Sequence, residues 1–354
     1  MDYSLLKNLP EPLLDWYGKH RRILPWREEP TPYRVWISEI MLQQTRVEAA
    51  LPYFQRFLEA LPTVEDLANA SEEQLLKLWE GLGYYSRVRN LQKAAKIIVD
   101  EYNCEIPHDY GKLLKLPGIG EYTAGAISSI AFGLPEPAVD GNVLRICSRI
   151  CGDDSDITSA AVKKQYRELL RPLYAGVSAG DFTQALMELG ATVCLPNGAP
   201  FCMDCPAASF CSARAEGEPT KYPVKAEKKP RKIENRTVFI VEQDGKFLLR
   251  KRPAKGLLAN MWELPNCLQS DEMTLPFAKS CGSAKHIFSH IEWHMEGKWI
   301  QLAEHADALQ GYVWATAEEL QETYALPSAF AAFTKQILAK SSEMCYNIEN
   351  NTQS

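Results

Sequence analysis

No stretch of about 18 consecutive apolar residues occurs in this 354-residue chain, which argues against a membrane-spanning helix. The opening residues, Met1 to Pro12, mix acids, bases and prolines and lack the apolar core of a secretory leader. Positive charge is not in surplus either: the net charge is −6, a mild argument against a nucleic-acid partner. That argument is blunt, because DNA needs only a local basic face. A disulfide framework is also missing. Of ten cysteines, Cys104, Cys147, Cys151, Cys267, Cys281 and Cys345 are scattered, mostly in apolar settings, and read as reduced thiols. These absences point to a soluble cytoplasmic protein. What is present is a globular composition, 46% hydrophobic and 24% charged, long enough for two domains with buried cores.

Two basic runs stand out. Arg87, Arg89, Lys93 and Lys96 fall within thirteen acid-free residues starting at Tyr84, and Lys225, Lys228, Lys229, Arg231 and Lys232 form the second. Taken alone, each fits a solvated face or linker better than a binding site.

Residues 1–215 read as helix after helix. Val35, Ile37, Ile40, Met41 and Val47 carry helical spacing from Tyr33 to Ala50, and Ser71 with Gln74 is a capping signal. Further helices are expected at Val88–Tyr102, Tyr122–Phe132, Val143–Ile150, Ala160–Leu170 and Phe182–Val193. Residues 216–235 hold three prolines and mixed Lys and Glu, as a linker does. From 236 to 340 strands are expected: Val238–Val241 and Phe247–Leu249 around an Asp244-Gly245 turn, then Ile287–Trp293, Trp299–Leu302 and Tyr312–Trp314. Helices are expected at Glu318–Leu320 and Ala329–Leu338. Residues 341–354 are polar and read as a disordered tail. The fold class is thus a mainly α first domain and an α+β second one.

Cys194, Cys202, Cys205 and Cys211 are spaced C-x7-C-x2-C-x5-C within eighteen residues, 194–211. Four clustered thiols in a reducing cell call for a metal or a cluster. Zinc sites favour two C-x2-C pairs, and only one is present here. Unequal gaps in one compact loop suit a 4Fe–4S cluster somewhat better, though spacing alone leaves zinc open.

Leu116-Pro117-Gly118-Ile119-Gly120 precedes a helix near Glu121. Its glycines permit a tight turn, and Gly118, Ile119 and Gly120 can present N–H groups to a phosphate. Carbonyls on the other side could bind a monovalent cation. A plain helix–helix corner explains the spacing equally well. Glu39 is the only charge between Arg34 and Arg46. A desolvated acid there would have a raised pKa and could donate a proton. Read in isolation it is better explained as an exposed helix position. Asp140, just ahead of Val143–Ile150, fits a helix N-cap. A proton donor plus an ionised carboxylate is also what cleavage of a glycosidic bond requires.

Taken together, Leu24-Pro25-Trp26-Arg27, Ser38–Thr45, Gly83–Arg87, Leu116–Gly120, Val139–Val143 and the cysteine loop resemble the helix-hairpin-helix DNA glycosylases. The likeness is closest to the MutY adenine DNA glycosylase family and runs from about Leu24 to Leu338. The resemblance implies that Glu39 is the general acid, that Asp140 stabilises an oxocarbenium ion and that Asn142 orients the acid. It implies that Trp26, Arg27 and Gln184 line the pocket for a flipped adenine. Leu42, Gln43, Gln44, Thr45 and Tyr84 match residues that probe the gap and contact an opposite 8-oxoguanine. Related bifunctional enzymes carry at position 122 a lysine that forms a Schiff base. Tyr122 cannot, which implies hydrolysis without efficient strand cleavage. The cysteine loop implies one 4Fe–4S cluster, although its first gap is one residue longer than is usual in the family. No Lys or Arg lies between Cys194 and Cys211, so this loop adds little positive charge.

Residues 236–340 resemble the Nudix-like, MutT-like domain of that family, with Phe288-Ser289-His290 as the loop that reads 8-oxoguanine. The Glu-rich Nudix hydrolase signature is absent; only Trp262-Glu263-Leu264-Pro265 and scattered acids stand near its expected place. The domain is expected to recognise rather than hydrolyse. The implied partner is duplex DNA with adenine opposite 8-oxoguanine or guanine, one substrate site needing only a monomer. Two other readings are an endonuclease III-type glycosylase/lyase, opposed by Tyr122, and a silent mismatch-binding protein, opposed by the Glu39 and Asp140 pair.

Overall fold

The computed structural model describes residues 1–226, 230–271, 277–303, 306–308 and 310–351, the side chains of 342–351 excepted. The chain divides into two compact units. Unit 1 holds Met1–Ala70 and Arg89–Glu227, and unit 2 holds Ser71–Val88 and Lys228–Ser354.

Unit 1 is helical. Its elements are α1 (Pro10–His20), α2 (Pro25–Glu28), α3 (Pro32–Leu42), α4 (Val47–Ala60) and α5 (Val64–Asn69). After α6 (Glu72–Leu78), which lies in unit 2, and α7 (Ser86–Tyr102), which bridges the division, come α8 (Tyr110–Leu113), α9 (Glu121–Ala126) and α10 (Gly141–Cys151). Then follow α11 (Ala160–Leu170), α12 (Ala179–Thr192) and α13 (Ser212–Ala215). Proline opens α1, α2 and α3, where its missing N–H is harmless. One core cluster gathers Leu13 and Trp16 of α1, Ile146 and Ile150 of α10, Tyr166 of α11, and Phe182, Leu186 and Leu189 of α12.

Two glycines let helices approach at the places that matter for chemistry. A Cβ on Gly190 would lie 2.5 Å from Asn142 Cβ, so only glycine lets α12 rest on the start of α10. A Cβ on Gly125 would lie 2.4 Å from the carbonyl oxygen of Pro137, so α9 presses against the segment leading to Asp140.

The helix expected across Tyr33–Ala50 is in fact two helices. The chain breaks at Gln43–Arg46, where Gln44 takes a left-handed φ of 59°. Apolar periodicity survives such a break, because α3 and α4 pack on the same core. The expected linker 216–235 is also corrected. Tyr222 is buried and its carbonyl accepts from Arg149 Nε at 3.0 Å, Val224 bridges Asp156, and a strand begins at Lys232. Glu227, Lys228 and Lys229 lie outside the described residues.

Unit 2 carries a mixed sheet of β1 (Lys232–Gln243), β2 (Lys246–Lys251), β3 (Trp262–Glu263), β4 (Asn266–Leu268), β5 (Lys279–Ile287), β6 (Ile291–Gln301) and β7 (Tyr312–Ala315). The order β3-β2-β1-β6-β5 is extended by β4 on β1 and β7 on β2. β1 and β6 run parallel from Lys232↔Ile291 to Glu242↔Gln301. β1 and β2 form the expected hairpin: Gln243 pairs with Lys246, and Asp244 and Gly245 both have positive φ. The helices α14 (Ala317–Glu322) and α15 (Ala331–Asn351) complete the unit, with Leu320, Phe333 and Ile337 in the core beside Trp293 and Met295. The helical backbone runs to Asn351, which corrects the expectation of an unstructured tail from 341. Once nucleated on the core, a helix extends at little cost per residue. Residues 352–354 lie outside the described residues. The strand expected over Ile287–Trp293 is the end of β5, a turn and the start of β6.

Candidate active site

A cavity of about 520 Å³ in unit 1 is lined by residues of α2, α3, α9 and α12 and by the segment entering α10. Ligand pockets span roughly 300–1,000 Å³, so a purine has room here. Trp26, Arg27, Glu39, Leu42, Thr45, Tyr122, Asp140, Asn142 and Gln184 all line it. The two carboxylates, about a hundred residues apart in sequence, face one space. Gln43 is not on the cavity wall; its side chain donates to Thr123 Oγ1 at 3.3 Å. Gln44 is exposed at the break between α3 and α4.

Glu39 sits on the last turns of α3, only 5% exposed, between Val35, Ile40 and Met41 of the same buried helix. Tyr122, at the start of α9, donates its hydroxyl to Glu39 Oε2 at 2.5 Å. Burial pushes the Glu39 carboxyl up to about 7, the negative charge of Asp140 adding to it, while the Tyr122 hydrogen bond and Arg27 pull the other way. An acid in that range keeps its proton near neutrality and can still give it up.

Asp140 caps α10 as its position ahead of the helix suggests. Its Oδ1 accepts from the N–H groups of Asn142 and Val143 at 2.9 and 2.8 Å, and its Oδ2 from Asn142 Nδ2 at 2.7 Å. Burial raises its pKa, and these three donors with Arg145 oppose the rise. Three donors and a helix N-terminus favour the ionised form. Arg145 in turn holds Asn142: its Nη2 donates to Asn142 Oδ1 at 2.9 Å, which fixes the amide with nitrogen toward Asp140. The same guanidinium donates to the carbonyls of Gly190 and Cys194, both at 2.7 Å.

The sequence reading missed Glu188, Arg22, Met187 and Arg145. Glu188 is fully buried on α12, one turn after Gln184, and pairs with Arg22 and Arg27 at 2.8 Å each. Met187 Sδ stands 3.7 Å from the Tyr122 hydroxyl. One signal was available: Glu188 is the only charged residue between Asp181 and Asp204, the same isolation that singled out Glu39.

At the hairpin between α8 and α9, Gly118 has φ 79° and a Cβ there would lie 2.7 Å from Asn90 Cβ. Gly118 and Gly120 are exposed while Ile119 is buried, so the turn shows backbone outward and anchors itself inward. Cys194, Cys202, Cys205 and Cys211 all line one further cavity, whose other walls include Ile146, Leu189, Val193 and Phe201. Arg149 Nη1 donates to Cys194 Sγ at 3.2 Å. Among the described residues, no three His, Cys, Asp or Glu side chains are placed to hold one metal ion.

In unit 2, Phe288-Ser289-His290 forms the turn joining β5 to β6, closed by the Phe288 N–H on the Ile291 carbonyl at 2.9 Å. Phe288 packs edge-on against Trp293 at 4.9 Å and His286 at 4.5 Å, leaving Ser289 and His290 exposed. Ser289 Oγ donates to the Tyr84 hydroxyl at 3.2 Å. Tyr84 is 45% exposed with a left-handed φ of 48°, a strained backbone for a bulky residue. Glu263 is buried and taken up by Arg250, at 2.6 Å, and by Arg252. It is therefore not available as an acid or a metal ligand.

Two family models match the chain: HhH-GPD superfamily base excision DNA repair protein over residues 37–172, and NUDIX domain over residues 237–336. The chain is similar to the adenine DNA glycosylase of Rattus norvegicus, 35% identical over 382 residues, covering 87% of this chain and 74% of that protein. It is similar to that of Buchnera aphidicola subsp. Schizaphis graminum, 36% identical over 298 residues, covering 80% and 84%. A solved thermostable thymine-DNA glycosylase matches with a TM-score of 0.55 at 27% identity, covering 60% of this chain and 98% of its own.

Proposed function

This chain belongs to the adenine DNA glycosylase family, and from that premise we propose that it hydrolyses the N-glycosidic bond of adenine paired with 8-oxoguanine or, less readily, with guanine. The observation that carries the reading is the pair Glu39 and Asp140 on one purine-sized cavity, one acid held in its protonated range and the other accepting three hydrogen bonds, with one oxygen only singly engaged.

The chemistry follows from those two environments. The bond is out of reach inside a stacked duplex, so the adenosine is flipped into the cavity. Trp26, Arg27 and Gln184 border the base. Glu39 gives its proton to the base, which leaves as a neutral group. Asp140 steadies the positive charge that develops on the sugar; a water then adds to C1′ and gives up a proton, which restores the Glu39 carboxyl and leaves a hydroxyl on the abasic sugar. Asn142 holds Asp140, and the Tyr122 hydroxyl holds Glu39. No amine stands at position 122, so the product is an abasic site in an intact strand. The exposed turn Phe288-Ser289-His290, with Tyr84 bonded to it, reads the opposite base, and Gly118–Gly120 hold backbone phosphate. Exposed Lys93 and Lys96 on α7 add positive charge for the duplex.

Cys194, Cys202, Cys205 and Cys211 suit a 4Fe–4S cluster: four soft thiols share one largely apolar cavity, with no carboxylate or imidazole among its walls. With Cys194, Cys202, Cys205 and Cys211 as its four ligands, such a group would supply structure rather than a substrate site, bracing the loop to which Arg145 and Arg149 are tied.

A duplex with one adenine opposite 8-oxoguanine tests the proposal. After incubation with the protein, hot alkali is expected to cut the strand at the adenine, and no cut is expected without alkali. No product at enzyme excess would overturn the reading; cleavage without alkali would assign a lyase instead.

A further inference from the structure

Glu188 has no role in the chemistry proposed so far, yet it is a charged side chain with no solvent exposure, on the wall of the reaction cavity. Its carboxylate is saturated. Oε1 accepts from the Arg22 N–H at 3.1 Å and Arg22 Nε at 2.8 Å; Oε2 accepts from Arg22 Nη2 at 2.9 Å and Arg27 Nη2 at 2.8 Å. Arg27 is fastened a second time, its Nη1 donating to the Arg22 carbonyl at 3.1 Å. A carboxylate so engaged has no lone pair to offer a substrate, so it is not an acid or base for the reaction.

We infer that Glu188 is a positioning residue for hydrolysis: by neutralising and fastening Arg22 and Arg27, it sets the charge that Glu39 meets across the cavity. The inference rests on the proposed role of Glu39 as proton donor.

The groups that face Glu39 are few. Tyr122 comes from α9, Asp140 from the entry to α10, and Arg27 from α2, while Arg46 and Glu48 border the cavity at the start of α4. Arg22 and Glu188 stand on the same wall, so its cations are Arg22, Arg27 and Arg46, and a cation near a buried acid draws off its proton. Glu188 counters this in two ways. Its negative charge lies against both guanidinium groups; burial works to neutralise it, and its bonds to Arg22 and Arg27 prevail, so it stays ionised. Its geometry also points Arg27 at α12, so that guanidinium is not free to turn and pair with Glu39. Glu48 cannot substitute, being largely exposed and 3.8 Å from Arg22.

The test is single-turnover adenine release by the full-length protein with its cysteine loop loaded, from pH 5.5 to 9. Glu188→Gln is expected to move the alkaline limb of the profile down by about one pH unit, with release within about threefold of the parent at pH 6 and roughly tenfold lower at pH 8. Arg22→Met removes a positive charge and is expected to move the limb up. The double variant Arg22→Met with Glu188→Gln restores the charge balance and should return the limb to the parental position. A uniform loss at every pH, with the limb unmoved, overturns the inference and leaves Glu188 as a structural tie. Should Glu188→Gln not fold, as judged by circular dichroism and DNA affinity, Arg22→Met decides alone, an unmoved limb being the adverse result. Glu39→Gln, run in parallel, separates the two readings: turnover by that variant removes the proton donor itself, whereas its inactivity with unmoved limbs removes only the role of Glu188.

Discussion

The cavity of unit 1 and the turn of unit 2 handle polar groups in opposite ways. In the cavity, three carboxylates are buried or half-buried and each is held by named partners: Glu39 by Tyr122, Asp140 by Asn142 and the backbone of α10, and Glu188 by two arginines. In the turn, one half-buried aromatic ring serves as an anchor, and Ser289 and His290 are exposed. Burial is what gives an acid unusual proton affinity, and exposure is what lets a side chain meet a ligand it must inspect. Rate should therefore live in the first region and discrimination in the second.

The sharpest way to break that division is Glu39→Gln. Release of adenine is expected to fall by about 10³ or more, with affinity for the duplex unchanged, because general acid catalysis contributes typically 10²–10⁴ and the amide keeps the shape. The loss should be the same opposite 8-oxoguanine and opposite guanine. Quench-flow or gel assays on the two duplexes check this, and a loss confined to one duplex would refute it.

Next in size is Asp140→Asn, expected to slow release by about a hundredfold through weaker stabilisation of the developing positive charge. Inhibition by a cationic sugar analogue should weaken in step. A variant that keeps full inhibition would show that the carboxylate does not face the sugar.

The same burial has a stability signature. Glu39 holds its proton up to about 7 when folded, against an ordinary value of 4.5, so the unfolded chain releases that proton first as pH rises. Its contribution to stability is complete below about 4.5 and is lost as pH climbs through 7. Glu39→Gln removes the group, so above pH 8 the variant should be more stable than the parent, by on the order of 3 kcal/mol, and the gap should close toward pH 5. Denaturant titrations at both pH values measure it; a constant difference would contradict the burial of a titrating acid.

The smallest effect is expected in the turn. Ser289→Ala removes one exposed hydroxyl and its bond to Tyr84, worth roughly 0.5–1.5 kcal/mol. Preference for 8-oxoguanine over guanine should drop by about two- to tenfold while the maximal rate holds. An unchanged ratio would detach the turn from recognition.

How much of this could be read beforehand depended on whether the determinant was local. The capping role of Asp140 was legible, because side chain and helix N-terminus are adjacent in sequence. So was the hairpin at Asp244-Gly245, where two left-handed residues are needed. The break at Gln43–Arg46 was hidden, since the apolar rhythm continues from α3 into α4 and no glycine or proline marks the turn. Periodicity hid the turn at Ser289, since apolar residues flank it on both sides as in a strand; only the family resemblance named Phe288-Ser289-His290 a loop. Glu188 carried the same isolated-charge pattern as Glu39, but its partners sit far away at Arg22 and Arg27. Nothing local distinguishes an acid held neutral from one held ionised.

The assignment of Ser71–Val88 to unit 2 has a consequence for biosynthesis. This segment leaves the ribosome early, yet its partners are made late: Glu73 pairs with Lys251, Lys77 donates to the Tyr324 carbonyl, and Glu80 accepts from the Leu326 N–H. At translation speeds of about 5–20 residues per second, the wait is on the order of tens of seconds. Throughout that interval the nascent chain carries these groups without their mates. A ribosome that stops before Lys251 releases a product in which none of them finds its mate.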